Sequence, residues 1–284
     1  MKSLQSAKKN WDQLLGSSKN FQHSVFFIND LQKVPKHICI AIISTSADVR
    51  AKVMAQIVKK SCVNFWILEK FLAQTERELD HILSITMNSD GAWVNIPRRL
   101  MTRQKEIRSY LPKKTPLLVK GLGNSWGLAC NGIHYLDLVA WWTNETLVSI
   151  ENSDLESQWY KSKREGFFDI LGKITANYSG GSVLILESKL NDKTFTMQVE
   201  AKGKFWEICD HHESFTGPEG LLIHSKNDHQ SSLTANVIDV LLENGNCELP
   251  EMDVSINMHR IFLSYLIKDW NHSHGTKVDR VPIT

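Results

Sequence analysis

The chain has 284 residues, of which 42% are hydrophobic, so it is long enough for two domains or one large domain with buried cores. It carries 33 Lys and Arg against 31 Asp and Glu, and the net charge of +2 argues against bulk attraction to nucleic acid or anionic membranes. No stretch has the length and apolar character of a signal peptide or a membrane span, so we expect a cytoplasmic protein. The five cysteines are scattered and lack C-x-x-C spacing, which argues against a disulfide framework and a zinc site.

The first part of the chain alternates strand and helix patterns. Two continuous apolar runs are typical of strands buried on both faces, and Thr75 with Glu78 resembles a capping box that begins a helix. The predicted elements are strand 25–28, strand 38–43, helix 48–60, strand 63–68, helix 75–87 and strand 92–96. This order predicts a parallel sheet covered by helices, with ligands at the carboxyl ends of its strands.

The second part is richer in strands. The patterns predict strand 117–119, helix 127–143, strands 167–178, 182–188, 195–201 and 205–209, and helices 232–243 and 255–270. Turn residues between the later strands favour an antiparallel sheet. The sequence therefore predicts an α/β domain over residues 1–115 and an α+β domain over residues 116–284, whose final helix can pack back on the first domain.

Two side chains suited to proton transfer follow these elements. Lys70 lies at the end of strand 63–68, and His134 lies in helix 127–143. Removing a hydride from a secondary alcohol requires a group that takes the hydroxyl proton, and Lys and His are easily tuned for this near neutral pH. Taken singly, a lysine at a strand end is more often solvated and a histidine on an apolar helix is more often a core residue.

Several segments occur in an informative order. They are the strand end Ser44-Thr45-Ser46-Ala47-Asp48, the strand end Leu68-Glu69-Lys70, the run Asn95-Ile96-Pro97-Arg98-Arg99, residues 126–137, residues 162–167 and the ending Val281-Pro282-Ile283-Thr284. In this order they resemble the Gfo/Idh/MocA family, the glucose-fructose oxidoreductase and inositol dehydrogenase group of NAD(P)-dependent sugar and polyol oxidoreductases. Residues 126–131 are most similar to a branch associated with bacterial surface-polysaccharide synthesis.

The resemblance implies roles for particular residues. The Glu-Lys-Pro motif of the family maps onto Glu69, Lys70 and Phe71, and its Asp-x-Gly-x-His motif maps onto Cys130, Gly132 and His134. The implied proton-transfer residues are Lys70 and His134. The implied cofactor is NAD or NADP, bound by Thr45, Ser46, Glu69, Lys70 and Arg99. The implied substrate is a sugar or sugar nucleotide, bound by Trp126, Asn131, His134 and Lys163.

The sequence departs from the family at three places, of which Phe71 in place of the motif's proline is the mildest, because that proline shapes a turn and supplies no chemistry. Cys130 stands where the family has Asp, and a thiol cannot reproduce the charge of a carboxylate. Asp137 shares a helix face with His134, so we hypothesise that it orients the imidazole. No G-x-G-x-x-G turn precedes strand 38–43, as though roughly one βαβ unit of ~30 residues were absent from an otherwise Rossmann-like sheet. The alternative is a catalytically inactive relative that binds sugar nucleotide or acts in assembly.

Three further groups admit two interpretations. Arg98 and Arg99 either bind phosphate or belong to a solvated helix face, and we favour phosphate for Arg99. Lys161, Lys163 and Arg164 admit the same two interpretations. Paired histidines near residues 211 and 272 lack carboxylate or Cys partners at suitable spacing, so we predict no metal. We expect no nucleic-acid or membrane partner, and the resemblance implies a homo-oligomer.

Overall fold

The computed structural model describes residues 2–15, 24–225, 228 and 230–284. After an N-terminal helix, α1 (Lys2–Leu15), a three-stranded parallel sheet has the order β1 (His37–Ile43), β2 (Cys62–Glu69) and β3 (Gly91–Asn95). Helix α2 (Ala47–Val58) connects β1 to β2, and α3 (Glu76–Thr86) connects β2 to β3. This arrangement confirms the predicted parallel α/β sheet.

Local sequence explains the first turn of α3. The Thr75 hydroxyl accepts a hydrogen bond from the Glu78 amide at 3.0 Å, and the Glu78 carboxylate accepts one from the Gln74 amide at 3.1 Å. The first bond is the N-cap half of the predicted capping box, whereas the Glu78 carboxylate bonds the amide of the residue before the cap and not that of Thr75. The predicted strand at 25–28 is wrong, because those residues pair with no strand in the described part of the chain. Apolar residues alone do not form a strand that has no neighbour.

A short 3₁₀ turn (Pro97–Leu100) and helix α4 (Thr102–Tyr110) lead into the second sheet. In chain order the following strands are β4 (Leu118–Asn124), β5 (Leu147–Leu155), β6 (Tyr160–Lys161), β7 (Phe168–Asp169), β8 (Gly172–Tyr178), β9 (Val183–Lys189), β10 (Thr196–Ala201), β11 (Lys204–Cys209), β12 (Ser214–Thr216) and β13 (Leu222–His224). The sheet order is β13-β12-β11-β10-β4-β9-β8-β5, and β6 and β7 form a separate hairpin. Among the paired neighbours, β4 with β9 is parallel and the rest are antiparallel, which confirms a mostly antiparallel sheet.

The predicted strand at 167–178 is divided into β7 and β8. Gly172 has a φ of +116°, a conformation that side-chain-bearing residues rarely adopt, and a Cβ there would lie 2.3 Å from the Asp154 carbonyl oxygen. The chain therefore changes direction between Asp169 and Gly172. This change lets Asp169 leave the eight-stranded sheet and approach a helix instead.

Three later helices complete the fold: α5 (Leu128–Thr143), α6 (Gln230–Asn244) and α7 (Met252–His274). Helix α7 packs against both halves, since it contacts α3 and β3 on one side and α5 and β5 on the other. Its Phe262 and Leu263 are fully buried, and each such side chain contributes about 1.5–3 kcal/mol of hydrophobic free energy. None of the described helices combines the length and apolar character needed to cross a bilayer.

Candidate functional site

A cavity of about 670 Å³ lies where the carboxyl ends of β1 and β2 meet the first turn of α5 and the β6–β7 hairpin. This is the edge at which parallel α/β sheets bind ligands. The cavity is lined by Ser44, Thr45, Arg50, Glu69, Lys70, Ser125, Trp126, Gly127, Cys130, Asn131, Tyr160, Lys161, Ser162, Lys163, Arg164, Asp169 and Thr284.

Lys70 extends from the end of β2 towards α5. Its Nζ donates to the Cys130 carbonyl oxygen at 2.9 Å and to Asn131 Oδ1 at 3.2 Å. The Asn131 amide nitrogen in turn donates to the Trp126 carbonyl oxygen at 2.9 Å, so the acceptor is fixed in orientation. Burial lowers the pKa of Lys70 below its ordinary value of 10.5, because a desolvated ammonium is less stable. Lys70 is thus a positioned amine in the cavity wall that is easier to deprotonate than a solvated lysine.

Asp169 supplies a buried carboxylate beside Cys130. Its Oδ1 accepts from the Ala129 amide at 2.8 Å and the Ile170 amide at 2.9 Å, so it occupies the amino-terminal end of α5. Burial and the nearby Asp169 carboxylate raise the pKa of the Cys130 thiol to about 12, which keeps it protonated. A negative charge near Lys70 therefore comes from β7, whereas Cys130 carries none.

Arg50 connects the ends of the two strands. This fully buried guanidinium donates to the Leu72 carbonyl oxygen at 2.9 Å and also to the carbonyl oxygens of Phe71 and Thr45. Burial lowers its pKa to about 10, which still leaves it charged at neutral pH. By holding both loops, Arg50 fixes the positions of Thr45 and Lys70. The Thr45 hydroxyl oxygen is buried and has no protein partner in the described chain.

His134 lies one helical turn beyond Cys130 but does not line the cavity. Burial, with help from the charges of Lys70 and Arg98, holds the pKa of His134 well below 6.5, so its imidazole is neutral. A second imidazole, His259 of α7, is fully buried with its ring edge against Phe71 at 4.7 Å between centroids. His134 Nδ1 and His259 Nε2 are both buried without a hydrogen-bond partner among the described residues. The meeting of Lys70 and His134 at one hydroxyl stays a prediction.

The contact between Arg99 and Asp137 corrects two expectations. One was that Arg99 binds a cofactor phosphate, and the other was that Asp137 orients the His134 imidazole. Arg99 Nε donates to Asp137 Oδ2 at 3.0 Å, and its Nη2 donates to Oδ1. Because this bidentate pair uses both oxygens of a buried carboxylate, Asp137 does not orient His134. Arg99 lies outside the cavity with its guanidinium engaged, so it is not available for a cofactor phosphate. Arg98 is likewise engaged, with Tyr135 and Asp210.

The cavity brings together six of the residues expected at a site and omits three. Thr45, Glu69, Lys70, Trp126, Asn131 and Lys163 line it, whereas Ser46, Arg99 and His134 do not. Sequence reasoning missed Asp169, Arg50, Tyr160 and Thr284. For Asp169 a signal exists, because it interrupts the apolar run Phe167-Phe168-Asp169-Ile170-Leu171, and a carboxylate in such a run needs buried partners.

The polar groups at the strand ends are of the kinds that bond the ribose hydroxyls of a nicotinamide dinucleotide. Thr45, Glu69 and Lys70 line the cavity, where a carboxylate and an amine can bond hydroxyl or amide groups of a ligand. The Thr45 hydroxyl is buried beside them without a partner in the described chain. The amino-terminal end of α5 is taken by Asp169, so it is not a phosphate site. In the described chain, no group of three or more His, Cys, Asp or Glu is arranged to hold a metal ion.

The neutral state of His259 has a consequence for stability. Burial lowers its pKa from 6.5 to about 3, so unfolding takes up a proton on this residue below pH 6.5. We expect the unfolding free energy to fall between pH 7 and pH 5, with a slope approaching about 1.4 kcal/mol per pH unit from this group below pH 6. Denaturant titrations of wild type and His259→Asn should show a smaller slope in the variant. The exposed-site control His81→Asn should match wild type, and equal slopes in all three proteins would refute the assignment.

Comparisons with known proteins identify the fold. No family model matches the chain, and no curated protein matches it by sequence. Among solved structures it is similar to UDP-N-acetylglucosamine 3-dehydrogenase GnnA from Acidithiobacillus ferrooxidans, with a TM-score of 0.60, 12% identity and coverage of 82% of this chain and 78% of that one. It is similar to an Agrobacterium radiobacter oxidoreductase in complex with NAD⁺, L-tartaric acid and magnesium (TM-score 0.61, 14% identity, 78% and 75% coverage).

A third similar structure is the transcriptional regulator Gal80p from Kluyveromyces lactis. Its TM-score is 0.71 at 13% identity, and the match covers 95% of this chain and 83% of Gal80p. The similarity extends over most of the chain and therefore concerns its overall fold. The chain has the two-domain fold of the Gfo/Idh/MocA-type oxidoreductases.

Proposed function

We propose that this protein is an NAD(P)-dependent oxidoreductase that acts on a secondary hydroxyl of a sugar or sugar nucleotide. The observation that carries the proposal is Lys70, an amine of lowered pKa held in the cavity wall by Cys130 and Asn131. A bound NAD or NADP would supply the hydride acceptor or donor. Lys70 would take the proton from the substrate hydroxyl during oxidation and return it during reduction.

The other residues divide between the two ligands. Thr45 and Glu69, at the ends of β1 and β2, would bind the cofactor, with Ser46 beside them at the start of α2. Trp126, Asn131 and Lys163, on the opposite wall, would bind the substrate. The neutral His134, which lies one helical turn beyond Cys130, would share the transfer of the substrate proton with Lys70. We assign residues to the cofactor or to the substrate according to which half of the chain provides their wall of the cavity.

We further propose a cytoplasmic role in making precursors of a bacterial surface polysaccharide. Support comes from the similarity of residues 126–131 to that branch and from the fold shared with GnnA, a UDP-N-acetylglucosamine 3-dehydrogenase. The test is incubation with NAD⁺ or NADP⁺ and a panel of sugars and UDP-sugars, while the absorbance of reduced nicotinamide is recorded. Formation of a keto-sugar together with reduced cofactor supports the proposal, and its absence across the panel contradicts it.

A second candidate is a regulator that uses this scaffold without turnover. Support comes from the fold that the chain shares with Gal80p, a transcriptional regulator. The protonated Cys130 thiol, at the position where the resemblance predicts a carboxylate, also favours it. Saturable sugar-nucleotide binding without cofactor reduction would support this candidate instead.

We also propose a homo-oligomer that forms through the face of the eight-stranded sheet opposite α5. On that face Leu118, Leu122, Val183 and Ile185 are half-buried side chains of the adjacent strands β4 and β9. Light scattering should give a mass above that of one 32.4 kDa chain, and Ile185→Asp should reduce it because a charge would face the partner. A monomeric wild type would contradict the proposal.

A further inference from the structure

The cavity holds an excess of positive side chains. Its lining includes five cationic side chains and two side-chain carboxylates, those of Glu69 and Asp169. Both carboxylates already accept hydrogen bonds, Asp169 from backbone amides and Glu69 from the Asn95 side-chain amide. Both charges act on Lys70, whose pKa they raise against the effect of burial.

The cations fall into two groups by their surroundings. Arg50 and Lys70 are largely buried and donate to backbone carbonyl groups, which fixes them in place. Lys161, Lys163 and Arg164 lie on the β6–β7 hairpin, are exposed, and have no ion-pair or side-chain hydrogen-bond partner in the described chain. By contrast, Lys173 and Lys189 of the adjacent sheet are paired with Asp154 and Glu187.

The backbone of this hairpin is well fixed, although its cationic side chains are not. The Ser162 amide donates to the Phe167 carbonyl oxygen at 2.9 Å, and the Phe168 amide donates to the Pro282 carbonyl oxygen at 2.8 Å. The Ser162 hydroxyl donates to the Arg164 carbonyl oxygen at 3.1 Å. Three cations are thus presented to the cavity from an ordered turn, which lowers the entropy cost of binding a ligand there.

We propose that the substrate carries an anionic group, a phosphate or carboxylate, which Lys163 and Arg164 bind with support from Lys161. This inference rests on the proposed function and narrows its substrate class. A guanidinium can bind two oxygens of such a group at once, and an ammonium adds a further charge-assisted hydrogen bond. The hairpin lies on the wall formed by the second half of the chain, together with Trp126 and Asn131, and so belongs to the substrate rather than to the cofactor.

Calorimetric titration without cofactor tests the proposal. The probes are a neutral hexose, its 6-phosphate, the corresponding hexuronate and a UDP-hexose. At least one anionic probe should bind wild type at least about tenfold more tightly than the neutral hexose, and added salt should weaken that binding. Lys163→Gln/Arg164→Gln should weaken it by about 10- to 100-fold, from the loss of two charge-assisted contacts. The matched control Lys36→Gln/Lys113→Gln makes the same charge change at exposed positions away from the cavity and should bind like wild type.

A parallel titration with NADH and NADPH distinguishes the two ligands. Unchanged cofactor binding in Lys163→Gln/Arg164→Gln supports substrate recognition, whereas an equal loss would assign these cations to the cofactor phosphates and overturn the proposal. Equal affinity for neutral and anionic probes, or no binding of any anionic probe, would also overturn it. Because the sugar titrations contain no cofactor, anionic probes can bind even if nicotinamide does not, and that outcome would reject the proposed redox function alone.

Discussion

Replacing Lys70 with Met is expected to lower kcat by about 10²- to 10⁴-fold, the usual contribution of a positioned general base or acid. The substrate would be the one identified in the sugar panel. Methionine has a similar length but cannot take a proton, so the hydroxyl would lose its acceptor. Lys70→Arg should be comparably inactive, since guanidinium does not give up its proton in this pH range. Comparing Lys70→Met with Lys70→Arg therefore separates the contribution of proton transfer from that of the positive charge.

The pH dependence gives the same test a second readout. Burial lowers the pKa of Lys70, so the oxidation rate of wild type should rise with pH and level off through a pKa below 10.5. That step should be absent from the residual rate of Lys70→Met. The control Lys52→Met changes an exposed lysine on α2 and should retain wild-type kcat. Turnover of Lys70→Met within about threefold of wild type would show that another group moves the proton.

Arg99→Met is expected to destabilise the protein by about 3–5 kcal/mol, because it leaves the carboxylate of Asp137 buried without its cation. Asp137 is 1% exposed, and its pKa is already raised by burial although Arg99 opposes that rise. Without Arg99 the pKa of Asp137 should rise further. The loss of stability should therefore be larger at pH 8 than at pH 5, where protonation relieves the buried charge.

Denaturant unfolding measures this effect. The double variant Arg99→Met/Asp137→Leu should recover most of the lost stability, since it removes both charges and keeps an apolar side chain at each position. Lys105→Met provides the control, because it breaks an exposed ion pair with Glu248 and should cost less than about 1 kcal/mol. A loss below about 1 kcal/mol for Arg99→Met, similar to this control, would mean that the buried pair is not a structural connection between the turn after β3 and α5.

The sequence predicted the elements whose patterns are local. Strands β1 and β2 are continuous apolar runs, and the Thr75 cap is a spacing of three residues, so both could be found without tertiary contacts. Strand β5 was missed because more than half of its residues, such as Ser149, Glu151 and Asp154, are polar. The split at Gly172 was missed because it depends on the approach of the Asp154 carbonyl group.

The site was predicted less completely than the fold. Lys70, Thr45 and Glu69 follow apolar strands, and parallel strands bring their carboxyl ends to one edge, so their convergence follows from topology. The partners of Arg99 and Asp169 could not be predicted in the same way. Arg99 meets Asp137 of α5, and Asp169 meets Ala129 at the start of that helix, so both contacts depend on how α5 packs. A basic residue after a strand has the same sequence signature whether it binds a ligand or an internal carboxylate.

The most direct test of the proposed cofactor site is fluorescence titration of the protein with NADH and NADPH. For wild type we expect a saturable change with a dissociation constant below about 1 mM for at least one of the two. Thr45→Val should weaken that binding by about 3- to 10-fold through loss of one hydrogen bond, and the exposed control Thr194→Val should not. No saturable change in wild type at millimolar concentrations of either cofactor would contradict a nicotinamide site beside Lys70.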